Sequence, residues 1–172
     1  MRRGRRGICL LSVLCASSAP SARKLPYDVD VRAAIHKDAA MLTYIWIAIG
    51  SALGGTARYW LSGFVAERIG ETFPWGTIIV NVTGSFAIGF FATLTGPDGR
   101  VLVSTTARQF VMIGICGGYT TFSSFSLQTL TLAQDGEWLW AAGNVVLSVM
   151  LCLLAVWAGH VCAMLLNGLK GA

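Results

Sequence analysis

Apolar and polar residues fall into long blocks along this chain, not into the short alternations of a soluble fold. Four mainly apolar blocks stand out, at about 42–65, 75–94, 108–132 and 138–166. A hydrocarbon layer about 30 Å thick is crossed by about 20 apolar residues in a helix, so each block predicts a membrane-spanning helix. Turn-forming segments separate the blocks: Phe73-Pro74-Trp75 before the second, Gly96-Pro97-Asp98-Gly99 after it, and Asp135-Gly136-Glu137 before the fourth. Four spans would put both termini on one side.

The polar residues inside these blocks carry the functional information. The third block holds Gly114 to Leu130, GICGGYTTFSSFSLQTL, with Thr120, Thr121, Ser123, Ser124, Ser126 and Thr129 in an apolar setting. A lipid-facing helix gains nothing from so many hydroxyls, and the Gly117–Gly118 pair weakens the helix at that point. Irregular backbone at membrane depth persists only when it is buried in protein or lines a water-filled path. Discontinuous helices near the midplane are where membrane proteins bind ions and small solutes. The third helix is therefore expected to be broken near the midplane, around an ion or solute path.

The other blocks supply partners for it. Thr77, Asn81 and Ser85 recur at i, i+4 and i+8 and share one helix face; Asn144, Ser148 and Cys152 do the same in the fourth block. Asn81 brings an amide with two donors into the membrane, where it serves either a pore or helix–helix contact. In the first block Gly50 and Gly54 form a GxxxG, which permits close helix approach. Arg58 lies beside Tyr59 and Trp60 near the interface. It reads as a structural residue that snorkels or bonds to a helix end, with substrate binding as the alternative.

Composition supports a membrane chain without a soluble domain: 55% of residues are hydrophobic and 12% charged, with mean hydropathy +0.64. Charge is uneven. Residues 1–40 hold eight Lys/Arg against three Asp, whereas residues 41–172 hold five Lys/Arg against five acids. The basic balance belongs to the first forty residues and does not imply nucleic acid binding by the rest. That segment starts MRRGRR and continues ICLLSVLCASSA, which mimics a secretory signal. The favoured alternative is a true start at Met41, and in either case residues 1–40 are set apart from the fold, leaving 41–172 as the domain. So small a Lys/Arg difference between the two sides of 41–172 fixes orientation poorly, so insertion both ways round and an antiparallel dimer are open to it.

No catalytic constellation is visible in the sequence, and the protein is not expected to be an enzyme. There is no GxSxG, HExxH or Walker loop, and Ser148 and His160 lie about 18 Å apart along one helix. The five cysteines form no CxxC pair, and His36 and His160 lack metal-ligand spacing. The spans carry no carboxylate pair, which argues against proton-coupled transport. What they present is neutral hydrogen-bond donors, which suit a small anion because they replace part of its water shell without trapping it. Phe122 and Phe125, at i and i+3, share a face; their positive ring edges can meet an anion, although from spacing alone ordinary core packing is the favoured account of such a pair.

Three segments resemble a known family. GGYTTFSSFS, Gly117 to Ser126, is similar to the GGxTTFS(T/S)F signature of the Fluc/CrcB fluoride channels. GGTARYW, Gly54 to Trp60, and GTIIVNVTGSFAIGF, Gly76 to Phe90, resemble that family's first- and second-span motifs, in the same order. The resemblance covers 41–172. It implies an all-α integral membrane protein of four helices per subunit, assembled as an antiparallel dual-topology homodimer in the cell (inner or plasma) membrane. Fluoride would leave the cell passively through pores at the subunit interface, lowering its toxicity.

The resemblance also implies residue roles. Backbone carbonyls of Gly117 and Thr120 would hold a structural sodium ion at the dimer centre. Asn81, Phe122, Phe125 and Ser148 would line the fluoride pore, with Thr121 and Thr77 beside them, and Arg58 matches a structural arginine. Gln128 stands where many members carry Glu, and Asn144 and Cys152 stand where Tyr and Ser or Thr are expected. The alternative from another class is a small dual-topology multidrug or metabolite exporter, which would need a membrane carboxylate for coupling. A structural tetraspan subunit would leave the hydroxyl-rich break unexplained.

Overall fold

The computed structural model of the chain describes residues 26–97 and 99–168, with side chains from residue 41 on. The regular structure of the described residues is all helical. Helix α1 covers Pro26–Ile69, α2 Trp75–Leu94, α3 Thr105–Gln109, α4 Gly117–Tyr119, α5 Phe122–Gln134 and α6 Trp138–Gly168. A π-helical segment, Phe110–Cys116, joins α3 to α4. The signal-like start, 1–25, lies outside the described residues, as do Asp98 and Lys170.

Among the described residues three stretches are long and apolar enough to cross a membrane: Trp75–Leu94, Thr105–Gln134 and Trp138–Gly168. They match the second, third and fourth expected spans closely. The first expected span, 42–65, is helical as part of α1 but is not one of these three. The distribution of side chains suits lipid surroundings. Leu139, Leu127 and Leu153 face outward, whereas Thr77, Thr121, Asn144 and Ser148 are buried. Apolar surface costs nothing in hydrocarbon, and polar groups there must find partners inside.

Helix ends follow the local chemistry. α1 stops at Gly70, which takes φ +93°, and the α5–α6 turn passes through Gly136 at φ +81°; both are left-handed conformations that glycine adopts at little cost. Pro74 precedes α2, where its missing N–H is no loss. Ser104 caps α3, its Oγ accepting from the Ala107 N–H at 3.2 Å.

Small residues set the close contacts. A Cβ on Gly114 would come within 3.1 Å of Gly50 Cα, so α1 and the π-helical segment meet backbone to backbone, as the Gly50–Gly54 pair predicts. Between α2 and α6, a Cβ on Gly89 would lie 2.9 Å from Val156 Cγ2, and one on Gly159 would lie 2.9 Å from the Phe90 nitrogen. Polar bonds tie the ends of the same pair: Thr93 Oγ1 lies 2.8 Å from His160 Nδ1, and Asn167 Nδ2 donates to the Thr93 carbonyl at 3.3 Å. At the opposite end, Phe73 packs on Trp140 with ring centroids 5.4 Å apart.

The third span is interrupted as expected, but not at its glycine pair. Gly117 keeps helical angles, φ −66° and ψ −37°. The helix breaks at Thr120 (φ −79°, ψ 155°) and Thr121 (φ −149°, ψ 117°), both extended. Gly118 serves a different purpose, because a Cβ there would lie 2.6 Å from the Ser51 carbonyl oxygen. Gly118 lets α4 lie against α1; the threonines make the break.

Candidate functional site

A break in a buried helix leaves backbone groups without their usual partners. In an unbroken helix the Thr121 N–H would bond the Gly117 carbonyl. Here it donates to Asn81 Oδ1 at 2.8 Å, and Asn81 Nδ2 donates to the Thr121 carbonyl at 3.0 Å. One side chain of α2 thus satisfies both backbone groups of the second extended residue. Thr121 then starts α5 as its N-cap, its Oγ1 accepting from the Ser124 N–H at 3.2 Å.

Beside the break lies a cavity of about 310 Å³, lined by Asn81, Ser85, Thr120, Phe122, Phe125 and Ser148 among others. Phe122 and Phe125 stand with centroids 5.3 Å apart and planes at 52°. They differ in setting: Phe122 is 77% exposed and Phe125 8%. On α6, Ser148 Oγ donates to Asn144 Oδ1 at 3.3 Å, and Asn144 Nδ2 donates to Thr129 Oγ1 at 2.7 Å. The last bond fastens α6 to α5, so the buried Asn144 holds the cavity wall in place.

A second cavity, about 300 Å³, lies on the other side of Thr121, which lines both. Arg58, Tyr59, Ser62, Thr77 and Gln128 border it. Arg58 Nη1 donates to the Thr120 carbonyl at 3.5 Å, a long bond. Thr120 is the C-cap of α4, and a cation is favourable at a helix C-terminus. The expected bond from Arg58 to a helix end is therefore present. Gln128 Oε1 is buried with no hydrogen-bond partner among the described residues.

Of the residues expected in the path, Asn81, Thr121, Phe122, Phe125 and Ser148 line the first cavity, together with Gly117 and Thr120. Thr77 lines the second. The periodicity that put Thr77, Asn81 and Ser85 on one face of α2 is real, but Thr121 divides that face between two cavities. Cys116 and Cys152 also border the first cavity. Cys152 sits in the stripe with Ser148, whereas nothing in the sequence marks Cys116.

The described residues contain no group of three or more His, Cys, Asp or Glu placed to hold a metal. Backbone oxygen is the remaining type of ligand. The Gly117 carbonyl has lost its helical donor to Asn81, and the extended Thr120 keeps a lone pair beside the one that Arg58 approaches. Carbonyl oxygens suit a hard cation such as sodium. The donor set at Gly117 and Thr120 fits such an ion.

These features define a helical membrane protein with an interrupted helix and a donor-lined cavity free of carboxylates. A family model described as CrcB-like protein, Camphor Resistance (CrcB), matches residues 45–160. A Fluoride-specific ion channel FluC of Rhodospirillum rubrum is 66% identical over 126 residues, covering 73% of this chain and 98% of that protein. One of the same description from Methylocella silvestris is 63% identical over 131 residues, covering 76% of this chain and 100% of that protein. Another, from Opitutus terrae, is 64% identical over 132 residues, 77% of this chain and 100% of that protein. The chain belongs to the CrcB family.

Proposed function

We propose that this protein is a fluoride channel through which cytoplasmic fluoride leaves the cell passively across the inner or plasma membrane. The observation that carries the reading is the cavity beside the Thr120–Thr121 break. It combines an amide, hydroxyls and two phenylalanines with no carboxylate among its lining residues. Burying an ion costs heavily unless hydrogen bonds replace its water. Neutral donors supply those bonds without the deep well that a fixed positive charge would create. Arg58, across Thr121, contributes positive potential from a distance. The names carried by relatives more than 60% identical to this chain point to the same ion.

Within this reading Asn81 presents its amide, Phe122 and Phe125 offer ring edges, and Ser148 and Thr121 form polar walls. Thr77 belongs to the approach on the Arg58 side. The segment 42–65 of α1 is the first span, completing four, and two subunits pair antiparallel as a dual-topology homodimer. The carbonyls of Gly117 and Thr120, with those of the second subunit, would hold a structural sodium ion. Bound there, sodium supplies a positive centre that fixes the released carbonyls of the break. The exporter alternative gains nothing from the cavity, which offers no carboxylate for coupling.

Expression in a bacterium made fluoride-sensitive by loss of its own export route tests the proposal. Restored growth in fluoride is the expected result. Growth no better than the empty vector, with the protein present in the membrane, would contradict it.

A further inference from the structure

Hydroxyl protons are limited, one to each side chain, and around the first cavity most are already committed. Thr120 Oγ1 donates to the Cys116 carbonyl at 3.0 Å. Thr121 Oγ1 donates to Ser124 Oγ at 3.1 Å. The commitment of Ser148 follows by elimination. Thr129 Oγ1 donates to the Phe125 carbonyl at 2.7 Å, so toward Asn144 it can only accept. Asn144 must then turn its NH₂ to Thr129 and its oxygen to Ser148, and Ser148 must donate to that oxygen. Asn81 is oriented in the same way by the Thr121 N–H and carbonyl, which leaves one free N–H on its amide.

Ser85 is different. It lines the same cavity, one helical turn beyond Asn81 on α2, and is half-buried. Threonines on the same helix bond back to carbonyls four residues earlier: Thr83 to Ile79 at 2.7 Å and Thr93 to Gly89 at 2.9 Å. Ser85 makes no hydrogen bond among the described residues. Its hydroxyl therefore reaches the cavity with its proton uncommitted.

We propose that Ser85 donates directly to the permeating anion, and that it and the free N–H of Asn81 form the site where fluoride exchanges water for protein. The proposal rests on the channel reading and deepens it by naming the donor. The two groups stand at i and i+4 on one helix face, so one small anion can take bonds from both. Thr121 and Ser148, though at the cavity wall, offer it lone pairs unless they first break internal bonds.

The test compares wild type, Ser85→Ala and Ser85→Thr, each shown by size-exclusion chromatography to be folded. Two readouts are taken: fluoride efflux from liposomes, and the rise in unfolding temperature caused by sodium fluoride relative to sodium chloride. One hydrogen bond to an ion accounts for about a ten- to hundredfold change. Ser85→Ala is expected to lose flux by that factor and to lose the fluoride-specific rise, while Ser85→Thr keeps most of both. Equal loss in Ser85→Ala and Ser85→Thr would trace the effect to shape and overturn the proposal, as would wild-type behaviour of Ser85→Ala. If wild type shows the fluoride-specific rise, Ser85→Ala lacks it and no variant passes fluoride, the channel reading falls while Ser85 stands as a fluoride ligand. Neither flux nor a fluoride-specific rise in wild type would overturn both.

Discussion

Asn81 and Thr121 are joined through both ends of the Asn81 amide, at 2.8 Å from the Thr121 N–H and 3.0 Å to the Thr121 carbonyl. Asn81 is therefore a structural clamp as well as a cavity group. Asn81→Ala would strand a backbone donor and an acceptor at membrane depth, at a cost of about 1–3 kcal/mol for each unsatisfied group. The expected outcome is a lower unfolding temperature in detergent together with reduced flux. Unchanged stability would mean that the break does not depend on this clamp.

Phe122 and Phe125 separate transport from packing. Phe122 is 77% exposed and Phe125 8%, so Phe122→Ile should lower fluoride flux while stability stays within about 0.5 kcal/mol of wild type. Phe125→Ile should lower both, by about 1 kcal/mol or more in stability. Equal stability losses in the two variants would show that Phe122 is a packing residue too.

Gly118 predicts the effect of a single methyl group. A Cβ there would lie 2.6 Å from the Ser51 carbonyl oxygen, whereas one on Gly143 would meet nothing within 4 Å. Gly118→Ala should destabilise by about 1–3 kcal/mol through overpacking. Gly143→Ala should be neutral or slightly stabilising, since alanine is the better helix former. Thermal unfolding of the two purified variants checks the contrast.

The proposed sodium site at the Gly117 and Thr120 carbonyls would give a cation-specific stability. A ligand that binds only the folded state raises stability with its concentration. The unfolding temperature should rise with added sodium and much less with N-methylglucamine at equal ionic strength. Parallel curves for the two cations would argue against a sodium site in the break.

The polar stripes on the second and fourth spans and the interruption of the third were legible in the sequence because each rests on local pattern. Thr77, Asn81 and Ser85 fall on one face by periodicity, but their division between two cavities depends on where α4 and α5 put Thr121. Gly117–Gly118 marked the right region for the wrong reason: low helix propensity is a local cost, whereas Gly118 answers to Ser51 on a distant segment. The break was left to Thr120 and Thr121, and the extended backbone of Thr121 is sustained by Asn81 from another helix. The π-helical segment Phe110–Cys116 has no compositional signature, and nothing in the sequence announces it. Which hydroxyl protons are free was likewise invisible, since commitment is decided by Thr129 and Asn144 meeting across two helices.

The most direct measurement of the central claim is anion efflux from liposomes containing the purified protein, followed in parallel with fluoride and chloride electrodes. A fluoride channel gives rapid fluoride efflux once potassium permeability is provided, with chloride retained at the level of protein-free liposomes. Efflux of both anions alike, or of neither, would contradict it.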